Sequence, residues 1–250
     1  MLLENKVAVV YGGGGSIGGA AARAFAREGA RVYLAGRTPS SLDKVAGEIR
    51  AAGGAAETAR VDALDERAVD AFADAVAERA GGIDISFNVI AVGDVQRPLA
   101  EISAEEFLRP VQIATRTQFL TTRAAVRHMT GRRSGVILMF GGGGPQTLPG
   151  LGGFKVALDA VESMRRQWAC EVGAHGIRVI TLVTGGVPET IPDGFPGKDE
   201  IAGGLREATL LGRTATLADV GDVAAFVASD RARTMTSATV NISCGAIVDH

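Results

Sequence analysis

The 250-residue chain has only two cysteines, few aromatic residues and almost no net charge. Cys170 and Cys244 fit no C-x-x-C or metal-ligand spacing, so we expect reduced thiols, no metal site and a cytoplasmic location. A formal net charge of -2 gives no electrostatic footprint for nucleic acid or an anionic membrane, and neither partner is expected. The apolar N-terminal run is interrupted by Glu4 and Lys6 and is shorter than the roughly 20 apolar residues that span a bilayer.

What the chain does have is a regular alternation of short apolar runs and segments with helical periodicity. Strands are predicted at residues 6–11, 31–35, in a run ending at 61, and at 83–88, 136–140, 178–183 and 239–243. Helical patterns fall between them, at 17–25, 42–49, 69–76, in a long stretch ending near 129, and at 154–172 and 219–228. Strands separated by helical crossovers predict a Rossmann-type α/β fold, a doubly wound parallel sheet with helices on both faces, in one domain over residues 1–250.

Particular residues predict where some of these segments begin and end. Gly29 suits the left-handed position just after a helix, and Ser40, with Asp43 three residues later, predicts the cap of the second helix. The segment 188–212, rich in proline and glycine, is too long for an ordinary connection. It predicts a substrate lid or binding loop, with surface decoration as the alternative.

The glycine-rich segment 12–18 lies where the first strand turns into the first helix. Glycines at that place let backbone amides and the helix N-terminus approach a pyrophosphate, which favours nucleotide binding over a flexible turn. The second strand ends at Gly36 without an acidic side chain for the adenosine ribose. Arg37 and Thr38 offer donors to a 2′-phosphate, which favours NADP(H) over NAD(H); the alternative is a solvated arginine at a strand end.

Several separated motifs resemble, in the same order, those of the short-chain dehydrogenase/reductase family, over roughly residues 5–249. Residues 11–18 are similar to T-G-x-x-x-G-I-G, with Tyr11 in place of threonine and Ser16 in place of the middle glycine. The other matching segments are 84–91 for D-x-x-x-N-N-A-G, with Asp84 and Asn88 retained, 176–179 for G-I-R-V, 184–187 for P-G-x-V, and 211–230 with 245–249 for the C-terminal pattern. Asp62 resembles the acidic residue near the adenine.

The resemblance implies a Rossmann fold, a nicotinamide cofactor, a small-molecule substrate and a set of cofactor contacts. The implied cofactor residues are Gly12, Gly14, Gly15, Ser16, Ile17, Gly18, Arg37, Thr38, Asp62, Ala63, Asn88, Thr184, Gly185 and Val187. It also implies a homo-oligomer, a tetramer, through the helices over 111–129 and 154–172, or pairing with an active homologue.

The family's catalytic Asn, Ser, Tyr and Lys positions can be located by their spacing from G-I-R-V. Counting back from Gly176 reaches Leu158 for the lysine and Phe154 for the tyrosine. The serine position is then Gly141 and the asparagine position Ala114, so all four positions lack the usual side chain.

A rival alignment uses Lys155 as the lysine and makes Leu151 the tyrosine position. It needs an insertion inside a helix, which would rotate the apolar face, so Phe154 and Leu158 are preferred. Neither alignment supplies a tyrosine.

Three other side chains near these motifs could be proposed as replacements. His128 is expected to interact with carbonyls at its helix end, and Lys155 to be solvated. Tyr11 could face the cofactor or pack over the sheet edge. Residues 141–144 form a glycine wall whose amides could bind an anion, with loop flexibility as the alternative.

Carbonyl reduction needs a hydride from the cofactor and a proton for the developing alkoxide. Phe154 has no proton to give, so the sequence predicts an NADP(H)-binding oxidoreductase with a non-standard or impaired catalytic site. Two alternatives remain open: a catalytically silent subunit or small-molecule-binding protein, and a non-redox enzyme such as a cyclase or dehydratase.

Overall fold

The computed structural model describes residues 1–93, 95–141 and 147–248. Its strands are β1 (Val7–Tyr11), β2 (Arg31–Gly36), β3 (Ala55–Arg60), β4 (Ile85–Asn88), β5 (Gly135–Phe140), β6 (Ile177–Val183) and β7 (Ala238–Asn241). Its α-helices are α1 (Ser16–Arg27), α2 (Pro39–Ala51), α3 (Glu66–Ala80), α4 (Ala104–Thr130), α5 (Gly152–Val172), α6 (Lys198–Glu207) and α7 (Leu217–Ala228). The strands form one parallel sheet in the order β3-β2-β1-β4-β5-β6-β7, which confirms the predicted Rossmann-type fold.

Both faces of the sheet are covered, as the sequence of β1 shows. Val9 and Tyr11 pack in a cluster with residues of α3, α4 and α5, whereas Ala8 and Val10 pack with residues of α1, α2 and α7. Successive side chains of a strand point to opposite faces, so a central strand buried on both sides is apolar at every position.

The order of the strands places a crevice between β1 and β4. All strands are parallel, and the order reverses at this pair, where Tyr11 is in register with Asn88 at the carboxyl ends. The loops that leave the two strands therefore start side by side. Ligands of open α/β sheets bind at such a switch point.

The start of α2 corrects one prediction. The helix begins at Pro39 with Thr38 at the N-cap, so Ser40 is not the cap. Proline suits the first helical position because its φ is already helical and it has no N–H to leave unpaired.

The prediction for Gly29 is confirmed by a φ of 95°, and the predicted strand ends differ from those observed by at most two residues.

The segment 188–212 contains a 3₁₀ turn at Pro188–Thr190 and the helix α6, which the sequence pattern did not predict. The helix has only ten residues, and its short apolar set, Ile201, Ala202 and Leu205, is interrupted by Gly203 and Gly204, so the pattern did not indicate a helix. It lies against the loop after β6, since a Cβ added at Gly186 would come 2.7 Å from Cδ2 of Leu205. No helix in the described part of the chain is long and apolar enough to cross a membrane.

Candidate functional site

The glycine-rich turn between β1 and α1 lies against the start of the loop after β4. Gly12 has a φ of 81°, and a Cβ there would lie 2.8 Å from the backbone oxygen of Val89. A Cβ at Gly18 would lie 2.3 Å from the Gly12 oxygen, so the turn closes on α1 only without side chains. Gly15 caps α1 without any side-chain hydrogen bond, which leaves first-turn N–H groups for an anionic ligand.

A first cavity of about 300 Å³ lies beside this turn, at the carboxyl ends of β1 and β2. The predicted cofactor residues that line it are Gly12, Gly14, Gly15, Arg37, Thr38, Asp62 and Ala63. Arg37 is exposed and belongs to none of the ion pairs found among the described residues. The Asp62 carboxylate accepts a hydrogen bond from the Leu64 N–H at 3.0 Å, which shapes the loop after β3.

A second cavity of about 520 Å³ adjoins the first, and residues 89–91 with Thr117 line both. The four positions aligned with the family's catalytic residues all line the second cavity: Ala114, Gly141, Phe154 and Leu158. Three predicted cofactor residues also line it, namely Ile17, Thr184 and Val187. The fold therefore brings the predicted cofactor segment and the predicted catalytic positions to one continuous crevice.

The wall of the second cavity contains no Asp, Glu, His, Lys, Arg, Tyr or Cys among the described residues. Its polar side chains are Thr117, Gln118, Thr184 and Thr190. The Thr117 hydroxyl donates to the Ala114 oxygen at 3.4 Å, and the Thr190 hydroxyl donates to the Val187 oxygen at 2.8 Å. Such a wall can hold an apolar molecule, but it has no acidic or basic side chain to exchange a proton with it.

Gly141 and Leu158 lie close together in the wall of this cavity. A Cβ added at Gly141 would lie 3.2 Å from Cδ2 of Leu158, and the φ of Gly141 is 148°. That backbone conformation favours glycine over serine. The remainder of the predicted glycine wall, residues 142–144, lies outside the described residues.

Two of the replacement side chains are engaged elsewhere. Lys155 was expected to be solvated; its side chain is partly exposed and forms an ion pair with Asp159 on α5. His128 was expected at helix carbonyls, but its Nε2 lies 2.7 Å from Oδ1 of Asp74 on α3. The packing of α3 against α4 brings this carboxylate within reach, which the local sequence around His128 does not show. Neither Lys155 nor Leu151 of the rival alignment lines the two cavities.

Tyr11 packs into the core and does not line either cavity. Its ring meets that of Phe72 edge-on, with centroids 5.7 Å apart. Burial raises the pKa of the Tyr11 hydroxyl well above its usual value, and the charge of Asp70 raises it further. A hydroxyl that is buried and harder to ionise takes no part in proton transfer within the cavity.

Four predicted cofactor residues line neither cavity: Ser16, Gly18, Asn88 and Gly185. Asn88 is buried; its Nδ2 donates to the Thr121 hydroxyl at 3.0 Å and its Oδ1 accepts from the Ile90 N–H at 3.0 Å. It therefore fixes the loop after β4. Gly185 permits a close approach, because a Cβ there would lie 2.5 Å from Cβ of Ala246.

Sequence reasoning did not single out several lining residues, among them the polar Ser41 and Gln118. Gln118 follows Ala114 by one helical turn on α4, so helical spacing could have found it once Ala114 was located. Ser41 lies in the first turn of α2 and reaches the first cavity only because the helix begins at Pro39.

The glycine turn, the parallel sheet and the two adjoining cavities define a dinucleotide-binding α/β protein. Residues 13–246 match a family model described as enoyl-(acyl carrier protein) reductase. The chain belongs to the short-chain dehydrogenase/reductase family, whose members are NAD(P)-binding oxidoreductases of small molecules.

Known relatives match along nearly the full length of the chain. The oxidoreductase YxbG of Bacillus subtilis (strain 168), itself uncharacterized, is 30% identical over 249 residues, covering 97% of this chain and 91% of the relative. Meso-2,3-butanediol dehydrogenase of Serratia marcescens is 30% identical over 252 residues, covering 98% and 96%. A crystal structure of a dehydrogenase/reductase from Sinorhizobium meliloti 1021 superposes with a TM-score of 0.87 at 26% identity, covering 98% of this chain and 96% of that one.

Proposed function

We propose that this chain, folded as one domain, is an NADP(H)-binding oxidoreductase of a small molecule with a non-standard, impaired catalytic site. The proposal rests on two cavities that adjoin each other. The first lies beside the glycine-rich turn and is lined by Arg37, and the second has no titratable side chain in its described wall. The first cavity supports cofactor binding, and the second supports the expectation that ordinary carbonyl reduction is absent or very slow.

The residues present fit a dinucleotide at the first cavity. The uncapped start of α1 suits the pyrophosphate, because Gly12 and Gly18 let the backbone come close. Asp62 and Ala63 of the first cavity would contact the adenine end of the cofactor, and Thr184 and Val187 of the second cavity would contact its nicotinamide end. When bound, the cofactor supplies or accepts a hydride.

The start of α2 favours a 2′-phosphate over a free ribose hydroxyl. Arg37, Thr38 and Ser41 line the cavity there, and the Thr38 side chain makes no capping hydrogen bond. Cations and unpaired donors at a helix N-terminus attract phosphate. Gly36 offers no carboxylate to a ribose diol, so NADP(H) is preferred over NAD(H).

The cofactor proposal is tested by the dissociation constants of NADPH and NADH, measured from nicotinamide fluorescence. We expect NADPH to bind more tightly, and Arg37→Ala to weaken NADPH binding by about ten- to a hundredfold, the range for a charged hydrogen bond, with little effect on NADH. Arg60→Ala is the matched control, because Arg60 is an exposed arginine at the end of β3 that lines neither cavity. Equal affinities of the parent protein for the two cofactors would contradict the assignment.

The proposal of impaired catalysis rests on what the second cavity lacks. In the family a tyrosine hydroxyl donates the proton, a lysine ammonium lowers its pKa and a serine hydroxyl orients the substrate, whereas Phe154, Leu158 and Gly141 stand at these places. Loss of a general acid slows a reaction by about 10²- to 10⁴-fold. Any proton must then come from the substrate, from water or from a group outside this wall.

A second candidate function is binding without turnover, by a silent subunit or a small-molecule-binding protein. The same wall favours it, because ligand binding needs no acid or base. A cyclase or dehydratase is less well supported, since such an enzyme needs an acid or a base and the described wall has neither. An absorbance assay of NADPH consumption against a panel of carbonyls and alcohols separates the oxidoreductase from the other two.

We also propose that the chain forms a homo-oligomer, a tetramer, through the outer faces of α4 and α5, which could equally receive an active homologue. Phe119 is 45% exposed, and Leu108 and Val156 are each 43% exposed. The Phe119 ring lies 6.1 Å from that of Trp168. Large apolar side chains exposed together on neighbouring helices are typical of a protein interface.

Two smaller proposals complete this picture. Residues 188–212 serve as a substrate lid, because Leu205 of α6 contacts Gly186 at the wall of the second cavity. The free thiols Cys170 and Cys244 support a reducing, cytoplasmic location.

A further inference from the structure

Arg109 on α4 places a cation at the mouth of the second cavity. Gly93 lines that cavity and is also exposed to solvent, so it marks the place where the cavity opens. Nη2 of Arg109 lies 3.9 Å from the position of a Cβ added at Gly93. The guanidinium of this exposed side chain therefore stands at the entrance, outside a wall that has no charged residue among those described.

The geometry of α4 gives the same position for Arg109 independently. Arg109, Ile113 and Thr117 follow one another at intervals of four residues, so they lie on one side of the helix. Ile113 lines the first cavity, and Thr117 lines both cavities. Arg109 continues this row by one turn toward the start of α4, beyond the residues that form the wall.

Among the described residues, the acidic neighbours of Arg109 on α4 do not pair with it. Glu105 precedes Arg109 by one helical turn, yet the two side chains form no ion pair. Glu106 instead binds Arg97 and the Ser103 N–H. A guanidinium keeps its charge and has several N–H donors, so one without a carboxylate partner in the described chain suits an anionic ligand.

The cavity and its mouth together define the kind of molecule that fits. The wall is mostly apolar, with residues such as Val92, Phe140 and Val161, and it favours an apolar body. A charged group is costly to bury in such a wall, but at the mouth it stays in contact with water and can bond Arg109. An apolar molecule that ends in a carboxylate meets both conditions.

We propose that the substrate of the second cavity is an apolar molecule ending in a carboxylate, with its body in the cavity and its carboxylate bound by Arg109 at the mouth. This deepens the proposed function by naming the substrate class, and it rests on that function only in treating the second cavity as the substrate site. Arg109 then determines specificity and is separate from the four positions aligned with the family's catalytic residues.

The test compares three carboxylates with their primary amides, which keep the shape and lose the charge: cyclohexylacetate and cyclohexylacetamide, octanoate and octanamide, and phenylbutyrate and phenylbutyramide. Dissociation constants are measured by NMR titration at saturating NADPH, so that the carboxylates do not occupy the proposed phosphate positions of the first cavity. We expect at least one carboxylate to bind about three- to tenfold more tightly than its amide, the scale of an ionic hydrogen bond exposed to water.

The hydroxyls of the wall do not account for such a preference. Thr184 and Thr190 line the second cavity, and a hydroxyl can donate to the oxygen of a neutral amide as well as to a carboxylate. A preference caused by the charge of Arg109 also falls when salt is added to the parent protein, because salt screens exposed charges. The titrations are therefore repeated at high ionic strength, where we expect a smaller ratio.

Arg109→Gln removes the charge, keeps hydrogen-bond donors and should reduce the ratio to about one. Arg166→Gln is the matched control, because Arg166 on α5 is exposed, belongs to no ion pair in the described chain and lines neither cavity. It should leave the ratio unchanged. Thermal melting monitors folding, and Arg109→Ala is a second variant in case Arg109→Gln does not fold.

Three results would overturn the inference: equal binding of carboxylate and amide by the parent protein, no binding of any of the carboxylates at millimolar concentration, or an unchanged preference after Arg109→Gln. A fourth is weaker NADPH binding by Arg109→Gln in the absence of carboxylate, since the guanidinium would then serve the cofactor. Failure of the proposed function looks different, because the parent protein would then not bind NADPH, while Arg37→Ala, titrated without NADPH, would still prefer the carboxylate.

Discussion

Phe154 shows how a single side chain limits the chemistry of the second cavity. Phe154 lines the wall at the position that the preferred alignment gives to the family's proton donor, and Leu158 lines the same wall at the position that it gives to the lysine. We predict that Phe154→Tyr alone will not restore ketone reduction. Without a cation at Leu158 nothing lowers the pKa of the new phenol from its ordinary value of about 10, and residues that act as a unit are strongly non-additive.

The measurement is the rate of NADPH oxidation with activated ketones, compared with the parent protein. Leu151→Tyr serves as the control from the rival alignment and should be equally inactive, since Leu151 lines a small separate cavity. A large gain from Phe154→Tyr would show that another group already provides what Leu158 lacks.

Single residues of the cofactor site were predictable where the backbone itself requires them. Gly12 and Gly18 follow from their place between a strand and a helix, and the structure shows atoms where their side chains would be. The sequence could not place Tyr11, because β1 is buried on both faces and its periodicity does not say which face meets α3. Nor could it show that Asn88 bonds Thr121, which lies 33 residues away.

At the scale of elements, periodicity predicted all seven strands and most helices, because these elements are held by buried apolar stripes. The exceptions depend on other physics. The start of α2 is set by Pro39, and α6 is a ten-residue helix with two internal glycines inside a segment rich in proline and glycine. Tertiary packing, as between α6 and Gly186, cannot be inferred from local pattern.

The predicted tetramer interface lies on the helices α4 and α5. We expect a tetramer by multi-angle light scattering at micromolar concentration, because the exposed apolar face around Phe119 is then covered. Phe119→Glu should shift the population toward smaller species, since it places an unpaired charge in the interface. Leu211→Glu is the control, an equally drastic change at a 66% exposed leucine outside both helices. A parent protein that is monomeric under these conditions would contradict the prediction.

At the scale of the whole molecule, the sheet divides the crevice into two parts with different chemistry. The side formed by β1, β2 and β3 has a glycine turn, an unpaired arginine in the described chain and an uncapped helix start. The side formed by β4, β5 and β6 has an apolar wall with no acidic or basic side chain among its described residues. We infer that cofactor binding and ordinary ketone reduction are separable properties of this fold.

A quadruple variant reassembles the family's catalytic unit: Phe154→Tyr, Leu158→Lys, Gly141→Ser and Ala114→Asn. Leu158→Lys removes the methyl group that a Cβ at position 141 would meet, although the φ of 148° at Gly141 still disfavours serine. The parent protein is therefore compared with this variant. The NADPH affinity of both proteins is measured first, so that both rates are measured at saturating NADPH.

The most direct test is the steady-state rate of NADPH oxidation by the parent protein at saturating NADPH, with a broad panel of activated ketones. The account predicts no turnover or very slow turnover, well below that of the quadruple variant, because the parent cavity has no proton donor in its described wall. Turnover by the unmodified protein at about 1 to 10³ per second, the usual range for enzymes, would contradict it.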